Sequence, residues 1–154
     1  MLKPVQTQSI KAGDATFAIV ASTYNARYVD AMLRAAQAEL RRAGAKVRVV
    51  RVPGAYEIPV VAKTLSAKNP GLAGILCLGV ILRGATTHAA HIGEAVSNAL
   101  MQIQLAHQIP VIHEVLLLEN EAQAQARCLG RKHNRGTEAA QTALAMARVM
   151  QTLD

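Results

Sequence analysis

His88 follows Arg83-Gly84-Ala85-Thr86-Thr87, where the apolar run Ile75 to Leu82 gives way to a helical pattern. Gly84 allows a tight turn. Ala85 and Thr86 would then present unpaired N–H groups at a helix N-terminus, a ready site for an anion. Two threonine hydroxyls add donors. A histidine one step into that helix could move protons on a group beside the anion, because histidine is the side-chain type whose charge changes near neutrality. The same segment also reads as an ordinary helix cap with an incidental histidine. No Gly-Lys-Ser/Thr follows, so it is not a Walker motif, and it is not the dinucleotide fingerprint.

The remaining reactive residues are less organised. His91 and His107 fall on the helix after His88 and read as surface or packing residues. His113 lies in a predicted strand beside Glu114, and His133 in a basic turn. No pair has metal-ligand spacing with a matching carboxylate, so no metal is expected. No Gly-x-Ser-x-Gly elbow supports a hydrolase triad. Cys77, inside Gly74-Ile75-Leu76-Cys77-Leu78, reads as a buried small hydrophobe. Cys128 next to Arg127 is weak evidence for a nucleophile. Positive residues cluster from Arg127 through Arg131, Lys132 and His133 to Arg135.

Patterning supplies the elements that must position these groups. Residues 1–14 read as an extended arm. Thr16 to Ala21 fits a strand buried on both faces, ended by Ser22-Thr23-Tyr24-Asn25. Val29, Met32, Leu33, Ala36 and Leu40 recur at helical spacing, stopped by Gly44. Lys46 to Val52 alternates charge with valine, as at a sheet edge. Pro53-Gly54 breaks it, and a helix from Glu57-Ile58-Pro59 runs through Ala62 and Leu65. Ile75 to Leu82 should be the central strand. A helix capped by Thr86 or Thr87 follows, through Ile92, Val96, Leu100, Ile103 and Leu105. Pro110 opens a strand over Val111 to Leu117. A helix over Glu119 to Leu129, a basic turn over Gly130 to Gly136 and a helix over Ala139 to Leu153 complete the chain. Strands alternating with helices imply a parallel sheet covered on both faces, with ligands outside the carboxyl ends of its strands.

Composition narrows the partners. With 154 residues, a single domain is expected. Aromatic residues make up 3%: Phe17, Tyr24, Tyr28 and Tyr56. The core must be aliphatic, and four scattered rings do not make a base-stacking platform. The net charge is +7, from 17 Lys and Arg against 10 Asp and Glu. That balance suits nucleic acid, an anionic membrane surface or an anionic small substrate. Without a basic tail or a helix-turn-helix signal, nucleic acid is disfavoured. Two unpatterned cysteines suggest a reducing compartment. No stretch of signal or membrane-spanning length is evident, so a cytoplasmic protein without a membrane partner is expected.

Together the three strand-to-helix junctions resemble the 6,7-dimethyl-8-ribityllumazine synthase family of riboflavin biosynthesis. Val52-Pro53-Gly54-Ala55-Tyr56-Glu57-Ile58-Pro59 is similar to that family's second loop, and Leu78-Gly79-Val80-Ile81-Leu82-Arg83-Gly84-Ala85-Thr86-Thr87-His88 to its most diagnostic segment. Arg127, Gly130 to Gly136 and Glu138-Ala139-Ala140 resemble its C-terminal turn and helix. The resemblance runs from about Phe17 to the end. It implies a flavodoxin-like three-layer α/β/α sandwich around a four-stranded parallel sheet. It also implies a homo-oligomer, whether a pentamer, a decamer or a sixty-subunit shell, with the active site between subunits and riboflavin synthase as a partner. The implied reaction condenses 5-amino-6-(D-ribitylamino)uracil with 3,4-dihydroxy-2-butanone 4-phosphate, without a metal or organic cofactor. An imine forms, phosphate leaves and the ring closes with loss of water.

The resemblance implies His88 as the catalytic histidine. It implies Tyr24 as the ring that stacks on the pyrimidine, with Asn25 beside it. Ala55, Tyr56 and Glu57 would hold the ribityl chain, and Val80, Ile81 and Leu82 would lie beside the pyrimidine. Ala85 and Thr86 would bind phosphate with Arg127 of a neighbouring subunit and with Arg135, which stands where lysine is usual and keeps the charge. His113 replaces the neighbour's phenylalanine that covers the pyrimidine. Ala89, Ala90 and His91 stand where an aromatic, an acid and an aromatic are usual. Glu114 replaces a glycine, and its carboxylate is expected to weaken phosphate binding. These departures sustain an alternative, a paralogue that binds flavin, lumazine or a ribityl compound without turnover.

Overall fold

The computed structural model describes residues 11–154, and the sheet it contains is wholly parallel, in the order β2-β1-β3-β4. The first ten residues of the predicted arm lie outside the described residues. The elements are β1 (Thr16–Ser22), α1 (Ala26–Arg42), β2 (Lys46–Val52), α2 (Ile58–Lys68), β3 (Gly74–Leu82), α3 (His88–His107), β4 (Val111–Leu118), α4 (Glu121–Cys128) and α5 (Arg135–Gln151). One turn of 3-10 helix, Ala55–Glu57, precedes α2. Helices α1, α4 and α5 pack on one face of the sheet around Phe17, Ile19, Leu76 and Leu78. Helices α2 and α3 pack on the other around Ala18, Val20, Ile75 and Cys77. The result is the flavodoxin-like three-layer sandwich.

The sequence pattern explains the strand order. β3 is buried along almost its whole length and sits between β1 and β4, as its unbroken apolar run requires. β2 takes an edge, where the charges of Lys46, Arg48 and Arg51 discourage pairing with another chain. α1 ends as expected, because Gly44 adopts a left-handed φ of 86° just beyond it. Leu105 departs from expectation: it is 68% exposed on the outer side of α3.

Two helix starts also differ. α4 begins at Glu121, because the Asn120 side chain accepts from Gln123 N–H at 2.9 Å and caps it there. α5 begins at Arg135, four residues before the expected Ala139, because Asn134 Oδ1 accepts from Gly136 N–H at 2.8 Å. An asparagine cap of this kind contributes about 1 kcal/mol, enough to draw part of the basic turn into the helix. Arg135 therefore stands on a helix rather than in a loop. Its Nε donates to Glu114 Oε2 at 3.1 Å, and its guanidinium also pairs with Glu138 at 3.1 Å. This cluster ties β4 to α5 beneath the sheet.

β4 is the other edge. Ile75 N–H donates to Pro110 O and Arg83 N–H to Leu118 O, so the even-numbered backbone groups face β3. The odd-numbered ones face outward. Two outward N–H groups are covered by side chains: Val111 N–H donates to Gln104 Oε1 at 2.9 Å and Val115 N–H to His113 Nδ1 at 3.1 Å.

Two stability predictions follow from this packing. A Cβ on Gly136 would run into the backbone of Met32, where α5 crosses α1. Gly136→Ala should therefore lose about 2–3 kcal/mol in urea unfolding; a wild-type midpoint would show that the helices have room. Burial raises the Glu114 carboxyl from an ordinary 4.5 to about 7, although Arg135 opposes the rise. Between those values the folded chain keeps a proton that the unfolded chain has lost, so stability falls as pH rises through this window. Glu114→Gln should remove that slope and gain about 3 kcal/mol on the parent between pH 4.5 and 8. Parallel stability curves for the two proteins would refute it.

Candidate active site

β1 and β3 are neighbours, but the chain leaves β1 towards β2 and leaves β3 towards β4. The connections part at the carboxyl ends of these strands and leave a crevice, as at other switch points of parallel sheets. A cleft of about 690 Å³ lies there. Its walls are Tyr24 and Asn25 after β1, Gly54 to Glu57 after β2, Val80 to Leu82 at the end of β3, and His88, His91, Ile92 and Ala95 on α3.

The loop after β1 is held from several sides. Arg51 donates to the carbonyl oxygens of Ala21 and Ser22 at 3.2 and 2.9 Å and pairs with Asp30 at 2.7 Å. Thr23 and Tyr24 N–H donate to Pro53 O, joining this loop to the one after β2. Asn25 takes a left-handed φ of 58°, which asparagine tolerates better than most residues. Its Nδ2 donates to Val80 O at 2.6 Å, tying this lip of the cleft to the end of β3. Gly54 passes against the Tyr24 ring, where a Cβ would come within 2.9 Å of a ring carbon. Glu57 Oε1 accepts from Gly54 N–H at 3.2 Å, closing the turn that carries Ala55 and Tyr56. Tyr24 and Tyr56 are each 66% exposed, so their rings are available to a ligand.

His88 is the first residue of α3. Neither threonine caps the helix strongly: Thr87 makes no capping hydrogen bond, and Thr86 Oγ1 accepts from His88 N–H at a long 3.4 Å. Ala85 and Thr86 are exposed just outside the cleft lining. The cysteines do not participate. Burial pushes the Cys77 thiol up to about 12 and the Cys128 thiol to about 11.

Of the residues singled out in the sequence, Tyr24, Asn25, Ala55, Tyr56, Glu57, Val80, Ile81, Leu82 and His88 meet in this one cleft. His113, Arg127 and Arg135 do not line it. Arg127 lies on α4 and Arg135 on α5, both packed on the face of the sheet opposite α3. Arg127 makes no ion pair among the described residues. Glu114, expected near a bound phosphate, is buried and bonded to Arg135. His113 lies on the edge strand, with Nε2 2.7 Å from Ser97 Oγ of α3, and burial moves its pKa below the ordinary histidine range. His91 corrects the earlier reading: it lines the cleft together with Gly54, Ile92 and Ala95. The signal was available, since positions three, four and seven after His88 share its face of a helix.

Comparison with known proteins places the chain in one family. The family model described as 6,7-dimethyl-8-ribityllumazine synthase matches residues 14–151. The chain is 40% identical over 142 residues to the 6,7-dimethyl-8-ribityllumazine synthase of Stenotrophomonas maltophilia (strain R551-3), covering 90% of this chain and 91% of that one. It is 39% identical to the enzyme of the same name from Xanthomonas campestris pv. campestris (strain B100), over 90% and 92% of the two chains. With the match extending across all four strands and the cleft at their ends, the chain belongs to the 6,7-dimethyl-8-ribityllumazine synthase family.

Proposed function

We propose that this protein is a transferase that condenses 5-amino-6-(D-ribitylamino)uracil with 3,4-dihydroxy-2-butanone 4-phosphate to 6,7-dimethyl-8-ribityllumazine, the penultimate step of riboflavin biosynthesis. The observation that carries the reading is the meeting of Tyr24, Tyr56, Glu57, Val80 to Leu82 and His88 in one cleft at the switch point of the sheet.

The pyrimidine stacks on the exposed face of Tyr24, beside the end of β3. The ribityl chain lies along Ala55, Tyr56 and Glu57, where turn N–H groups and a carboxylate can meet its hydroxyls. The 5-amino group attacks the ketone carbon, and loss of water gives an imine. Phosphate is eliminated, the ribityl-bearing nitrogen closes the ring, and a second water leaves. His88 moves the protons in these steps, work that contributes roughly 10²–10⁴-fold. Holding two substrates in one cleft supplies much of the rest.

The phosphate lies against Ala85 and Thr86 at the start of α3. Arg127 comes from a neighbouring subunit. Within one chain it and His88 stand on opposite faces of the sheet, which supports a site shared between copies. Its unpaired guanidinium suits a dianion, and the planar fork can engage two oxygens. Arg135, held between two carboxylates, contributes position more than charge. The same reading includes assembly as a pentamer, a decamer or a sixty-subunit shell, a cytoplasmic setting and riboflavin synthase as a partner.

Mixing the two substrates with the protein should produce the lumazine chromophore. His88→Ala should lower kcat by about 10²-fold or more; unchanged kcat would remove His88 from the chemistry. Arg127→Ala should raise KM for the phosphate substrate and leave that for the pyrimidine nearly unchanged. Oligomers reassembled from a mixture of these two variants should regain activity that neither has alone, because some sites then combine an intact His88 with an intact Arg127. Failure to regain any would contradict a shared site.

A further inference from the structure

We propose that Ser97 is a positioning residue that holds His113 as the neutral Nε2–H imidazole, its ring fixed across the free edge of β4. A histidine can then serve as the flat, polar-inert cover over the pyrimidine of a neighbouring subunit. The inference rests on the function proposed above, in which His113 takes that covering place.

The hydrogen-bond roles are forced one after another. Val115 N–H points away from β3, because the even-numbered groups of β4 make the strand pairing. An unpaired N–H on an edge strand needs an acceptor, and His113 Nδ1 supplies it at 3.1 Å. Nδ1 must then carry a lone pair rather than a proton. A neutral imidazole with an unprotonated Nδ1 carries its hydrogen on Nε2. Nε2 lies 2.7 Å from Ser97 Oγ. The single hydroxyl hydrogen of Ser97 is already directed to Gly93 O at 2.8 Å. Ser97 Oγ is therefore the acceptor, and the chain runs from Nε2–H to Ser97 Oγ–H to Gly93 O. Val115 N–H fixes one end of the ring and the first turns of α3 fix the other. Partial desolvation of the ring against its own chain lowers its pKa and favours the same neutral form.

This arrangement has a consequence for ligand recognition. Both ring nitrogens are bonded within the chain, yet the residue remains exposed. It therefore offers a ligand a π-face and no free donor or acceptor, as a hydrocarbon aromatic would. A histidine free to turn would instead bring a nitrogen to the pyrimidine and compete with the groups that orient it.

The experiment uses the full-length protein labelled with ¹⁵N-histidine. His113 should show an unprotonated, pyridine-like Nδ1 and a protonated, pyrrole-like Nε2. In Ser97→Ala that signature should blend towards a mixture of tautomers. KM for the pyrimidine substrate should rise about 2–10-fold, the range expected for one lost hydrogen bond, with kcat changed less than about two-fold. Ser97→Thr, which keeps the hydroxyl, should restore both. Wild-type nitrogen signals and KM in Ser97→Ala would overturn the lock. His113→Ala separates the two claims: an unchanged pyrimidine KM in that variant would overturn the covering role of His113, whatever tautomer the parent shows.

Discussion

The site depends on one constraint: two parallel strands lie side by side while the chain leaves them towards opposite faces. After β1 it turns into α1 on one face; after β3 it turns into α3 on the other. No described residue fills the gap between the departing connections, and the cleft opens there. Tyr24 and Asn25 form one lip, His88 and His91 another, and the last residues of β3 lie between them. A gap of this kind needs a brace. The Asn25 amide bonded to Val80 O and the Arg51 side chain bonded to the carbonyls of Ala21 and Ser22 provide it. Both are short polar links at the strand ends, where the aliphatic core can no longer hold the backbone.

The same constraint divides the charges. α3 carries His88 on one face of the sheet, while α4 and α5 carry Arg127 and Arg135 on the other. The proposed reading, in which one phosphate meets both His88 and Arg127, has a second copy supply one of them. The basic surplus of the chain is thereby divided by role. Arg51 braces a loop, Arg135 is paired with Glu114 and Glu138, and Arg127 has no carboxylate partner among the described residues.

Much of this was legible in the sequence where residue type and position coincide. The uninterrupted run from Ile75 to Leu82 could only be a strand buried on both faces, and it is the inner strand β3. The alternation of charge and valine in Lys46 to Val52 marked an edge. The helix starts were harder, because an asparagine cap competes with the turn around it. Asn134 was the local signal that α5 begins early, and the basic residues beside it obscured that signal. His91 was marked only by the family resemblance: from the residues alone, a lone polar residue on a long helix reads as solvated surface until the helix is known to line a cleft. The close approach of Gly54 to Tyr24 depends on two loops meeting in space and leaves no trace in spacing.

The departures from the family pattern resolve into different physical cases. Ala89 is buried in the core against α2 and the sheet, so a small residue there is a matter of packing. Glu114 is buried with an arginine as its partner, and the loss of a glycine is matched by a guanidinium that the carboxylate holds in place. His113 keeps a flat ring but adds two nitrogens, and both are engaged inside the chain, by a strand N–H and a serine hydroxyl. Of these departures among the described residues, His91 is the one that lines the cleft. An imidazole one turn beyond His88 adds a second histidine ring to the cleft in which proton transfer is proposed. It is therefore the substitution that reaches the cleft itself, whereas the Glu114 and His113 changes are accommodated by partners within their own chain.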